Sequence, residues 1–172
     1  MSDRNELKSM LRENTAFLVD LIEKYPANSW NQPIGEGKWS AGEIAEHILL
    51  TDQVIHRLFS GPSVIATDRI PMSKEKLIKE IFLDHSLKLR AFGPIVPARG
   101  DKDKQTLINS IRETRTALID FLANSTTSEL CMGFSHGKFG LLTKFEWIYF
   151  MIYHTQRHMI QMQHPLNYRG IS

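Results

Sequence analysis

The chain has 172 residues, of which 42% are hydrophobic and 23% charged, and a net charge of +2 with histidine neutral. These values predict one globular domain over residues 1–172 with a full hydrophobic core, and the weak, scattered positive charge argues against nucleic acid as a partner. A single cysteine, Cys131, excludes an intrachain disulfide; the charged start MSDRNELKSML lacks a signal-peptide core, and no apolar run nears the roughly 18–20 residues of a membrane span, so a cytoplasmic protein with no membrane partner is expected.

Residues 3–24 predict a first helix, because Leu7, Leu11, Ala16, Leu18, Leu21 and Ile22 recur with roughly helical period. Pro26 ends it, and residues 27–38, with Pro33, Gly35 and Gly37, read as a loop. Ser40 opens a second helix. Glu43 follows it by three residues, which makes a capping box, and the helix runs to about Phe59, before Gly61-Pro62. Ile44, His47, Ile48, Thr51, Ile55 and Leu58 share one face, so His47 is expected on the core side.

Ser73 is placed to cap a shorter helix from Lys74 to Leu89, with Leu77, Ile78, Ile81, Phe82 and His85 on one side. The run FGPIVPARG then reads as an extended crossover, which lets the next helix lie parallel to its predecessor. That helix starts at Asp101 or Asp103 and reaches Asn124, with Leu107, Ile108, Ile111, Thr114, Leu118, Phe121 and Leu122 as its apolar face. Thr143 and Glu146 form a second capping box ahead of the last helix, His164-Pro165 is expected to close it, and the tail to Ser172 is expected to be ordered by docking. No stretch alternates as a strand would. Four main helices and a shorter one predict an all-α four-helix bundle.

The last helix carries the chemistry. In FEWIYFMIYHTQRHMIQMQ, Phe145 to Gln163, His154 and His158 lie one turn apart on a stripe with Trp147, Met151 and Met162. Residues at this spacing have Cβ atoms about 5–6 Å apart, close enough for two imidazoles to share one ion. His47 lies about 10 Å inside the second helix by the α-helical rise. His158 and His154 lie about 7 and 13 Å from the end of the last helix by the same rise. If the two helices are antiparallel, the three imidazoles meet at one depth. Three histidines with a remaining coordination position is the pattern of a catalytic rather than a structural zinc site, and neutral imidazole also suits nickel, iron and copper. Gln161, Tyr153 and Thr51 are candidates to hold the second ring nitrogens. The competing reading is that these are hydrogen-bonded core histidines.

Two segments resemble the DinB-like superfamily. GEGKWSAGEIAEHILL, Gly35 to Leu50, is similar to its tryptophan-serine and glutamate-x-x-x-histidine segment. FGLLTKFEWIYFMIYHTQRHMIQM, Phe139 to Met162, is similar to its closing helix, and AFGPIVPARG resembles the proline-bearing crossover of the YfiT-type metal-dependent hydrolases. The resemblance implies an up-down-down-up bundle with an additional short helix in the crossover. It also implies one divalent metal ion, zinc or nickel, held by His47, His154 and His158, and often a homodimer. Relatives include S-transferases and an isomerase that use low-molecular-weight thiols. A metal-dependent hydrolase or thiol S-transferase acting on a small-molecule substrate is therefore expected. The alternative is a non-catalytic metal-binding or stress-response bundle.

The remaining candidates have plainer readings. The capping box accounts for Glu43, and Trp39 either walls the site or staples the helix start. Glu46 points about 100° away from His47 and is expected in solvent. His56 and His164 read as surface residues, His85 as packing or a lid, His136 as a loop residue near substrate, and Arg157 as a surface or dimer residue. Cys131 reads as a small hydrophobe with no assigned reactivity. Neither H-E-x-x-H nor the Glu-x-x-His of a di-iron bundle occurs, nor a G-x-S-x-G or P-loop.

Overall fold

The computed structural model describes residues 2–169, with side chains from 4 to 165. Helix α1 spans Ser2–Lys24, α2 Ala27–Trp30, α3 Ala41–Phe59, α4 Glu75–Leu83, α5 Lys104–Asn124 and α6 Lys144–Arg169. Strand β1, Ser63–Ile65, pairs antiparallel with β2, Glu129–Cys131, with Val64 opposite Leu130. A 3-10 turn, Gly93–Ile95, sits in the crossover between α4 and α5. No helix among the described residues is long and apolar enough to cross a membrane.

Two layers of core fix the helix directions. One unites Leu7 and Leu11 of α1, Ile55 and Phe59 of α3, Leu118 and Leu122 of α5, and Phe145 and Ile148 of α6. The other unites Leu18 and Ile22, Ala41 to Leu49, Leu107 and Ile111, and Met162. The end of α1 therefore meets the starts of α3 and α5 and the end of α6. So α1 and α6 run one way and α3 and α5 the other, the expected up-down-down-up order. Between the layers, buried Arg115 of α5 donates to Asp52 of α3 at 2.7 Å, Asn14 of α1 at 2.9 Å and Thr155 of α6 at 2.7 Å. One cation thus ties all four long helices at one level.

Several local expectations need correction. The loop after Pro26 contains the single turn α2. The two strands were not legible because three residues are too few to show a two-residue period. Ser73 does not cap α4. Its N-cap is Lys74, whose N–H donates to Glu146 Oε1 at 3.1 Å, so a carboxylate from α6 caps it instead. The helix ends at Leu83 rather than Leu89, where Asp84 turns to extended backbone and its carboxylate accepts from Ser86 N at 2.9 Å. His85 falls in this exposed turn, so it does not take part in helix packing. Helix α6 continues through Pro165: the fixed φ of proline is compatible with a helix, and the one lost bond does not end it. The expected docking of the tail to Ser172 ends on residues 170–172, which lie outside the described residues.

Candidate metal centre

Both histidine-bearing helices begin at well-made caps. Ser40 Oγ accepts from Glu43 N at 3.1 Å, while Glu43 Oε2 accepts from Ser40 N at 3.0 Å. Thr143 and Glu146 repeat the exchange at 3.2 and 2.9 Å. Fixed starts set the rotation of each helix, and hence which side chains face inward. Trp147, Met151, His154, His158 and Met162 are all buried, as the stripe on α6 predicts.

The three histidines converge. His154 Nε2 lies 3.0 Å from His47 Nε2 and 3.0 Å from His158 Nε2. The side chains are only 3%, 6% and 8% exposed for His47, His154 and His158. Two of the opposite nitrogens are engaged: His47 Nδ1 sits 2.6 Å from the Ile95 carbonyl oxygen, and His158 Nδ1 sits 2.7 Å from Gln161 Oε1. A carbonyl oxygen can only accept, so both rings carry the proton on Nδ1 and turn the Nε2 lone pair towards the other rings. Lone pairs crowded together without a proton for each repel. A cation about 2.0–2.1 Å from each nitrogen would resolve this, and tetrahedral angles there give nitrogen separations of about 3.3 Å. The observed spacing is close to that, so the donor set fits a single divalent ion.

Electrostatics favour the ligating form. Burial lowers the pKa of His47, only partly offset by the Ile95 hydrogen bond. Burial, then the neighbouring His158 and His47, hold His154 well below the ordinary histidine range. Burial pushes His158 down to about 3, with His47 adding to the effect. All three rings are therefore neutral near pH 7, as metal ligation requires. His154 departs from the pattern: its Nδ1 is buried with no hydrogen-bond partner. Its ring is held instead by stacking on Phe150, 5.7 Å between centroids, and by the edge contact with Phe82 at 5.4 Å.

Of the residues proposed to hold the second nitrogens, only Gln161 does so. Thr51 Oγ1 donates to the His47 carbonyl, and Tyr153 Oη donates to Glu75. Ile95 was missed because a backbone carbonyl has no sequence signature. The nearest clue was the pair Pro94 and Pro97, which stiffen the chain around it. Trp39 does wall the site, with its ring 5.0 Å from that of His47.

No cysteine or carboxylate joins the three-histidine group among the described residues. Every carboxylate on α3 and α6 has other partners: Glu43 and Glu146 cap helices, Asp52 pairs with Arg115, and Glu46 accepts from Ala98 N at 2.9 Å and Lys102 Nζ at 2.7 Å. Glu46 is thus not the solvated side chain expected. Nor is Arg157 a surface residue: it is 6% exposed and donates to the carbonyls of Phe82, Asp84 and Leu87. His136 stacks on Phe139 and reaches Phe150 rather than the cluster. His56 packs on Phe121, and Cys131 is buried. A surface groove of about 580 Å³ between α1 and α6, lined by Phe17, Leu21, Met159 and Ile160, does not include the histidines.

Comparison with known proteins agrees with this picture. The profile of the DinB superfamily matches residues 10–162. Among solved structures, TT2238, described as a four-helix bundle protein, aligns with a TM-score of 0.59 at 17% identity, over 94% of this chain and 98% of that one. At that identity the likeness concerns the fold. No curated protein matches.

Proposed function

The chain belongs to the DinB superfamily, and we propose that it is a metal-dependent enzyme that transfers a low-molecular-weight thiol to a small electrophilic substrate. His47, His154 and His158 hold one divalent cation, zinc or nickel, through their Nε2 atoms. The observation that carries this reading is the meeting of three buried Nε2 atoms across two helices, with that of His154 3.0 Å from each of the other two. A cation held there supplies Lewis-acid polarisation and neutralises the charge of a small nucleophile.

The chain's own residues do the rest. The Ile95 carbonyl and Gln161 fix the protons of His47 and His158 on Nδ1. Phe82, Phe150 and Trp39 pack around the rings and keep water from them. Transfer of a thiol is favoured over hydrolysis because, among the described residues, no carboxylate joins the three histidines to act as a general base. A thiol is acidic enough to act without one. Hydrolysis remains the second reading, since the same donor set would activate water.

Elemental analysis of protein purified without an affinity tag should find one zinc or nickel per chain. A panel of thiols and electrophiles should then show turnover that disappears on chelation. Turnover that survives complete removal of metal would refute the proposal, and hydrolysis without thiol dependence would select the second reading.

A further inference from the structure

On both ligand helices the residue just before a metal-site histidine turns away from the site and grips the same segment. Glu46 precedes His47, and Arg157 precedes His158. Successive helical residues point about 100° apart, so one side chain reaches the site while its neighbour reaches the flank. Arg157 holds the end of α4 and the start of the crossover through the Phe82, Asp84 and Leu87 carbonyls, at 3.1, 2.8 and 2.5 Å. Glu46 holds the last part through Ala98 N at 2.9 Å and Lys102 Nζ at 2.7 Å. Lys102 is also tied to Asn31 and Trp30, so the Glu46–Ala98 bond is the last of these ties before Ile95. Between the two grips, Gly93 takes φ +64°, which favours glycine, and the turn that follows presents the Ile95 carbonyl to His47 Nδ1 at 2.6 Å.

We propose that Glu46 and Arg157 are positioning residues for the metal centre: they hold the crossover in tension between α3 and α6 so that the Ile95 carbonyl fixes the ring of His47. This rests on the metal-site reading above and extends it to two residues that touch no ligand atom. Loosening either grip lets Ile95 drift, and His47 loses the partner that sets both its tautomer and its orientation. Partners of this kind typically change metal affinity about ten- to a hundredfold.

Metal affinity, rather than turnover, is the measurement. Cobalt(II) titrated into metal-free protein gives a dissociation constant and a visible absorption spectrum sensitive to ligand geometry. Glu46→Ala should bind about tenfold or more weakly and show an altered spectrum, with the helical circular dichroism and unfolding midpoint of the parent. Glu46→Gln keeps an acceptor for Ala98 N and should restore most of the affinity. Arg157→Ala should weaken binding in the same way; if it does not fold, the Glu46 pair decides. Glu46→Ala with parental affinity and spectrum overturns the inference alone, as does Glu46→Gln as weak as Glu46→Ala. A parent protein that binds no cobalt, zinc or nickel overturns the metal reading and this inference with it.

Discussion

Arg115 Nη2 donates to Thr155 Oγ1 at 2.7 Å, one residue beyond His154 of the histidine cluster. The same guanidinium meets Asp52 through Nε at 2.7 Å, five residues beyond His47. The buried network that ties the four long helices therefore passes next to the histidine cluster. It joins the two histidine-bearing helices, α3 and α6, to each other through α5.

Replacing Arg115 with Met should be among the most damaging single changes in the core. It leaves the fully buried Asp52 without its counter-charge, and breaking such a pair costs about 3–5 kcal/mol. Burial already raises the Asp52 pKa, with Arg115 opposing the rise. Without Arg115 the folded state prefers a protonated Asp52 more strongly. A raised carboxyl pKa contributes stability below the unfolded value and loses it as pH rises through the folded one. The deficit in urea unfolding should therefore be smallest near about pH 4 and grow towards neutrality. A deficit independent of pH would mean that Asp52 does not carry the effect.

His154→Ala removes the central nitrogen of the three. Metal content should fall from one per chain to near zero while the helical content persists, because the surrounding stripe of Trp147, Phe150, Met151 and Met162 is intact. The lost ring packs against Phe82 and Phe150, so a stability cost of about 1–3 kcal/mol accompanies the change. Full metal occupancy in this variant would place the ion elsewhere.

Cys131 should be inert in the folded protein. It is fully buried at the end of β2, and burial pushes its thiol up to about 11 despite nearby Lys144. The thiolate is the reactive form. An aromatic disulfide reagent at about pH 8 should label nothing until denaturant is added, then label one thiol per chain. Rapid labelling of the native state would show that this end of the bundle opens.

The long helices and the meeting of the three histidines were legible because each has a strong local code. The Ser40–Glu43 and Thr143–Glu146 boxes mark helix starts, and the stripe through His154 and His158 has clear period. What the sequence concealed was everything set by partners distant along the chain. Arg115 was passed over for Thr114 on the apolar face, because a buried cation breaks hydrophobic patterning and only Asp52, Asn14 and Thr155 make it tolerable. Glu46 and Arg157 looked like surface charges for the same reason, since their partners are backbone atoms of a segment with no regular pattern. The length of α4 was misjudged because its C-terminal carbonyls go to Arg157 of α6 rather than to a continuing helix.

Acid should unfold the metal-free protein through its histidines. His158 is held down at about 3 and His47 and His154 are also lowered, chiefly by burial, whereas an unfolded histidine titrates near 6.5. Below that pH the unfolded chain takes up protons that the folded chain refuses. The neutral rings thus contribute stability that is complete above about 6.5 and declines as pH falls, by up to about 1.4 kcal/mol per pH unit for each ring. Replacing His158 with Gln should flatten this decline in denaturant titrations between about pH 6.5 and 4. Bound metal should shift the decline to lower pH, because protons must first displace the ion, and acidification should then release metal and fold together. Identical acid profiles for the metal-free parent and the Gln variant would show that His158 is not held neutral by the fold.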